Sequence, residues 1–246
     1  MFISNLFRGG APGATVTVLN SDDNGSGNAF SGVVGDVKYL ASRPGTGRGA
    51  ILTASAAQAK VRWSGSDVLG AIASGAIRYD RTYRRITAYP SAPILINQWR
   101  DAVVPGNSAQ IRLKSDGFVE VMDSAGTVVA TSSSAIPLNK IIRIESKVTF
   151  SATTGQVEVR FYWNDGVDFH GYNSKIPSMT MVTAATINTR GTADEVNYGI
   201  ASTNPSYSME MYGLAVSDTG WIGPFDCPTK YILLGSWIPM PQMTLL

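Results

Sequence analysis

Between Ala109 and Trp163 apolar and polar residues alternate in steps of two, and short polar turns interrupt the alternation. Gln110 to Lys114 carries Ile111 and Leu113 at alternate positions, Ser115-Asp116-Gly117 turns the chain, and Phe118 to Met122 is a second β-prone run. Ser124-Ala125-Gly126 turns it again into Thr127 to Thr131. After a polar loop, Ile141 to Phe150 and Gln156 to Trp163 are two longer runs joined by Ser151 to Gly155. Period-two alternation broken by Gly, Asp and Ser predicts an antiparallel meander with one buried face. Such a unit belongs to a β-sandwich or barrel, scaffolds that offer loops or a sheet face for binding.

The same reading places strands elsewhere: Ser4 to Arg8, Thr15 to Leu19, Asp36 to Leu40, Gly49 to Thr53, Ala59 to Trp63, Ala76 to Tyr89 and Ile94 to Arg100. Val196 to Ala201 and Ser208 to Ser217 close the set. Helical spacing is scarce. The best window, Asp67 to Ile77, is weakened by Gly70 and Gly75. The pattern stops around Trp221-Ile222-Gly223-Pro224, which divides the chain into a sandwich over residues 1–224 and a tail over 225–246. The tail is nearly free of charge, and Pro228, Pro239 and Pro241 argue against a long helix or a central strand. Tyr231, Ile232, Leu233, Leu234, Trp237 and Ile238 make it apolar, a liability in water. It packs on its own sandwich or docks on a neighbouring subunit, and Tyr231, Leu233, Leu234, Trp237 and Ile238 are the candidate assembly contacts.

Composition narrows the function. With 246 residues, 44% hydrophobic and only 15% charged, the chain has material for one large core. A net charge of +2 lacks the dense basic stripe that nucleic acid requires. The one basic cluster, Arg78, Arg81, Arg84 and Arg85, interleaves with Tyr79 and Tyr83. It reads as a solvated or interface-facing strand, with phosphate gripping or base stacking as the other reading. The single cysteine, Cys227, excludes an internal disulfide framework and reads as an inert buried thiol. Met1 to Arg8 shows no apolar signal-peptide core, and no run approaches the ~20 apolar residues of a membrane span. Synthesis in a cytoplasm without a signal peptide, no membrane partner and no nucleic-acid partner are the expectations.

Several segments in order resemble one family. Ser4-Asn5-Leu6-Phe7-Arg8-Gly9-Gly10, Gly13 to Thr17 and Asn28-Ala29-Phe30 come first. Ala59 to Ser64, Ala109 to Leu113, Ile136 to Lys140 and Arg143-Ile144-Glu145 follow, and Leu214-Ala215-Val216-Ser217-Asp218-Thr219-Gly220-Trp221-Ile222-Gly223-Pro224 closes the series. Together they resemble the concanavalin A-like (LamG-type) jelly-roll proteins of actinobacterial tailed phages, over roughly residues 1–224. The resemblance implies an all-β sandwich of two antiparallel sheets with first and last strands adjacent. It also implies a virion structural or host-surface-binding role rather than catalysis. A capsid decoration or minor capsid protein is the leading reading, a minor tail protein touching the host envelope the second, and a carbohydrate-binding module the third. Other virion proteins, further copies of the chain and a host-surface glycan are the implied partners. The family often carries paired acids just before the final Leu-Ala-Val-Ser, where they help hold Ca²⁺; Tyr212-Gly213 stand there instead, which argues against a metal.

Jelly-roll glucanases need E-x-D-x-x-E on one strand, but Glu120-Val121-Met122-Asp123 puts its acids three apart, on opposite faces. No enzyme, no cofactor and no catalytic residue is the expectation. His170, the only histidine, lies in a loop-like stretch whose Asp165 and Asp168 lack the spacing of a Ca²⁺ loop. Gly45, Gly47 and Gly49 lack a following G-K-[ST], so they read as a flexible turn. Aromatics remain. Trp99, Trp163, Tyr162 and Tyr172 stand near loop boundaries as candidates for stacking on a sugar, against the alternative that tryptophans at strand ends close the core.

Overall fold

In the computed structural model, residues 1–25, 27–41, 48–70, 72–103, 105–163, 175–203 and 206–224 are described, without the side chains of Ser66 and Asp67. The tail with Cys227, Tyr231, Leu233, Leu234, Trp237 and Ile238 lies outside them, as do Tyr172, His170, Asp165, Asp168 and the glycines at 45 and 47.

The described chain is all-β. Its strands are β1 (Phe2–Asn5), β2 (Gly32–Val34), β3 (Asp36–Tyr39), β4 (Gly49–Ala54), β5 (Ala59–Ser64), β6 (Ile77–Arg85), β7 (Ile94–Asp101) and β8 (Gly106–Leu113). They continue with β9 (Val119–Met122), β10 (Val128–Thr131), β11 (Ile141–Thr149), β12 (Gln156–Tyr162), β13 (Met179–Val182), β14 (Glu195–Ile200) and β15 (Tyr207–Ser217). The single helix, α1 (Ser66–Leu69), is one turn long, because Gly70 at φ 68° ends it at once. An eight-stranded antiparallel sheet runs β13-β12-β11-β6-β15-β4-β3, with β1 added to β15. A seven-stranded one runs β10-β9-β8-β7-β14-β5-β2. First and last strands are neighbours, Phe2 opposite Ser217. The expected two-sheet jelly roll is the observed architecture.

The meander divides. β8, β9 and β10 stay in the seven-stranded sheet, whereas β11 and β12 belong to the eight-stranded one, so the polar loop before Ile141 carries the chain between sheets. Its turns are built as the sequence implies. Gly117 (φ 84°) and Gly126 (φ 81°) supply the left-handed positions, and Asp123 Oδ1 accepts from the Ala125 and Thr127 amides at 3.0 and 2.9 Å. Thr15 contributes one isolated bridge to Lys38 rather than a strand, and β2 and β13 are additional to the expected set.

Between the sheets, Phe7, Phe30, Trp63 and Tyr198 form a chain of rings with centroids 5.5, 5.4 and 6.0 Å apart. Val61, Val196, Ile111, Val121, Ile144, Val159 and Leu214 fill the space around them. The arginine-rich strand is neither solvated nor a phosphate grip, since its alternation splits the cluster between two faces. Arg84 is fully buried in the core, where it donates to the Ile96 carbonyl (2.6 Å) and Thr82 Oγ1 (3.1 Å). Its guanidinium is pushed down to about 10 by burial. Arg81 and Arg85 face outward.

Candidate functional site

A sheet strand sends alternate residues to opposite faces. In the seven-stranded sheet Val61, Trp63, Val196, Tyr198 and Ile111 enter the core, so Lys60, Arg62, Glu195, Asn197 and Gln110 point outward. Strand register then lines them up. One row crosses four strands as Arg62, Asn197, Gln98 and Gln110; the next holds Ser64, Glu195, Arg100 and Asn107. Lys60 stands opposite Gly199, and Arg112 opposite Glu120. The middle of this face is polar and its floor dry, with Asn197 0%, Glu195 2% and Gln110 3% exposed, while toward β9 and β10 the row passes to Met122 and Val128.

Glu195 anchors it. Its carboxylate accepts from Arg62 Nη1 (3.0 Å) and Asn197 Nδ2 (2.7 Å) and lies 3.5 Å from Arg100 Nη1. Gln98 Nε2 donates to Asn107 Oδ1 at 2.8 Å, and Arg112 is held by Glu120. Other capacity goes unused. Asn197 Oδ1, Arg62 Nε and Arg100 Nε have no hydrogen-bond partner among the described residues. Buried polar atoms are normally satisfied, so these three leave capacity for water or a ligand. Gly32, opposite Arg62 on the edge strand, permits this layout: a Cβ there would stand 2.4 Å from Arg62 Nε.

The outer face of the eight-stranded sheet is different in kind. It carries Tyr79, Arg81, Tyr83, Arg143, Glu145, Arg160, Tyr162, Glu210 and Tyr212, and it is occupied by its own chain. Trp221 lies edge-on to Tyr79 (5.5 Å) and under the Arg160 guanidinium (3.8 Å), and Arg81 donates to the Gly223 carbonyl at 2.8 Å. Arg143 stacks on Tyr162 at 3.7 Å and lies 3.1 Å from Glu145. Burial raises the Glu145 carboxyl despite these cations. The cations there contact rings, carboxylates and carbonyls of the chain itself.

The expected sugar-stacking residues are not brought together. Trp99 is a core residue, 2% exposed, its ring edge-on to Phe150 (5.5 Å) and its indole N–H donating to Asp80 (3.0 Å), so no sugar reaches it. Trp163 packs partly against the core near Phe161, and Tyr162 is under Arg143. Tyr172 falls outside the described residues. Glu120, weighed as a glucanase acid, is the partner of Arg112. Among the described residues no group of three or more His, Cys, Asp or Glu is placed to hold a metal. The amide and arginine rows escaped the sequence reading. Their signal is the pairing of polar residues two apart inside strands that are otherwise apolar: Lys60/Arg62, Gln98/Arg100, Gln110/Arg112 and Glu195/Asn197.

No family model matches this sequence, and no curated protein matches it. Solved structures do share the fold. An alginate lyase from Aplysia kurodai, of polysaccharide lyase family 14, superposes with a TM-score of 0.55 at 11% identity, over 89% of this chain and 98% of that one. A cellulose-induced protein, Cip1, does so with a TM-score of 0.50 at 12% identity, over 78% and 90%. These likenesses establish a jelly-roll fold shared with carbohydrate-active proteins. They also overturn the expectation that the chain is not an enzyme. That expectation rested on missing glucanase carboxylates, whereas an alginate lyase, itself an enzyme, is built on this fold along nearly its whole length.

Proposed function

We propose that this chain is a glycan-engaging jelly-roll module carried on a phage particle, with the outer face of its seven-stranded sheet as the contact surface. The observation that carries the glycan reading is the Arg62–Asn197–Gln98–Gln110 row, a buried amide floor with an unused acceptor and unused guanidinium N–H groups. Sugars present dense hydroxyls that both donate and accept, and planar amides and guanidinium groups are the side chains that answer them. The particle location rests on the ordered sequence resemblance ending in Leu214 to Pro224. Decoration of the capsid surface is the leading placement, with the tail as the second. Phe225–Leu246, whose apolar residues exceed what the resemblance accounts for, serves in this reading as the anchor to other virion subunits or to further copies.

Affinity electrophoresis through a panel of neutral and acidic polysaccharides tests the glycan reading, with the polymer assayed afterwards for shortening so that turnover is read together with binding. Retardation by at least one polymer, lost in Asn197→Ala with the melting temperature retained, is the expected result. A protein that neither binds nor shortens any polymer of the panel removes the reading. Immunogold labelling of purified particles tests the location; unlabelled particles remove it.

A further inference from the structure

Resting on the reading of the seven-stranded face as a glycan contact, we propose that the glycan it takes is anionic, its acidic group received by the cations Lys60, Arg62 and Arg100. Three observations converge on this point. The Lys60 side chain is largely covered, at 5% exposure, while its ammonium, which donates to no described residue, stays open at its tip to water or a ligand. Burial pushes the Lys60 ammonium down, and Arg100 and Arg62 push it further in the same direction while Glu195 opposes them.

The second observation is the local imbalance of charge. Glu195 is the carboxylate nearest this trio, and its oxygens are already taken by Arg62, Arg100 and the Asn197 amide. Arg112 brings no relief, since Glu120 holds it. Three cations therefore share one carboxylate on a floor poor in water. An incoming anion would meet two guanidinium groups and an ammonium near enough to influence one another, a set that suits a carboxylate or sulfate. Side chains of Arg62 and Arg100 remain 37% and 30% exposed, which leaves this part of the face open to a ligand.

The third observation separates a sugar acid from other anions. Asn197 Oδ1 is buried without a donor, so the ligand that completes the face brings an O–H or N–H beside its acid. A sugar acid does this with ring hydroxyls. Nucleic acid would be met by stacking rings, but the outward rows of β5, β14, β7 and β8 carry none: Lys60, Arg62, Ser64, Glu195, Asn197, Gln98, Arg100, Asn107, Gln110 and Arg112 stand there.

The test titrates the full-length protein with four polymers: polygalacturonate, its fully methyl-esterified form, dextran sulfate and a single-stranded oligonucleotide. At low salt the acidic polymers should bind at least tenfold tighter than the ester, and tenfold tighter than the oligonucleotide. The better of the two acids tells carboxylate from sulfate. Lys60→Gln should weaken the preferred acid about tenfold while keeping or raising the melting temperature, a pairing that loss of structure would not give. Equal binding of acid and ester, equal binding of the oligonucleotide, or unchanged acid affinity in Lys60→Gln overturns the proposal and leaves the glycan reading standing. If neither acidic nor neutral glycans bind, both fall.

Discussion

Asp80 shows how one residue ties the two sheets together. It projects from β6 into the core, where Oδ1 accepts from Asn97 Nδ2 (2.9 Å) and Oδ2 from Trp99 Nε1 (3.0 Å) and Ser146 Oγ (2.5 Å). Asn97 and Trp99 belong to the opposite sheet, so a single carboxyl bridges the sandwich. Burial pushes it up to about 6 from 3.8, against the pull of those donors and of Arg84. The folded protein therefore holds this proton more tightly than the unfolded chain does. Its stabilising contribution is complete below about 3.8 and is lost as pH rises through about 6, a change on the order of 2–3 kcal/mol. Asp80→Asn removes the titration while preserving shape, and Asn97, whose Oδ1 has no partner, can turn its amide to accept from the new NH₂. Melting temperatures of both proteins between pH 4.5 and 7.5 should show the variant gaining on the wild type as pH rises. A difference that stays flat would mean that Asp80 remains ionised throughout. None of this is legible in the sequence, because the Asp80, Asn97, Trp99 and Ser146 contacts depend on a sheet packing that alternation does not specify.

At the scale of elements, alternation and turn chemistry locate most strands within a residue or two, since both are local. Ile141 to Phe150 and Ala59 to Trp63 are nearly β11 and β5 as built. What alternation misses is short or borrowed. Gly32–Val34 is only three residues long and gains its strand character from pairing with β5. The candidate site is missed for the same reason: its rows join residues near positions 62, 98, 110 and 197, and only the register of four strands makes them neighbours. β14 is the element on which this rests, and two changes probe it. Gly199 has φ 128°, and a Cβ would come within 2.5 Å of the Ala59 carbonyl and of Leu52. Gly199→Ala should destabilise by about 3 kcal/mol, read by urea unfolding; a loss below about 0.5 kcal/mol would show that the strand shifts freely. Glu195→Gln leaves Arg62 and Arg100 without their carboxylate and should cost about 1–3 kcal/mol. In the same variant, binding of an acidic polymer should strengthen, because the face loses its competing negative charge; weaker binding would mean that Glu195 touches the ligand favourably.

Over the described residues the first strand is paired beside the last. β15 is flanked on one side by β6 and on the other by β4 and then β1, the changeover falling at the irregularity between Tyr212 and Leu214. Beyond Ser217 the chain turns over the eight-stranded sheet, where Trp221 and Gly223 are fixed by Tyr79, Arg160 and Arg81. Among the described residues, then, β15 is the last strand and the segment to Pro224 follows it. Tyr231, Ile232, Leu233, Leu234, Trp237 and Ile238 come after that segment, and burying such a set gains on the order of 5–10 kcal/mol gross before ordering is counted. Pro228, Pro239 and Pro241 reduce the ordering loss by restricting the free chain. A chain ended after Pro224 should therefore remain folded, with a circular dichroism spectrum still dominated by β-structure, and should keep whatever glycan binding the full-length protein has. It should lose self-association or attachment to particles, measured by light scattering and by co-sedimentation with virions. If it unfolds instead, while the full-length protein sediments as a monomer, then Phe225–Leu246 belongs to the core of its own sandwich and anchors nothing.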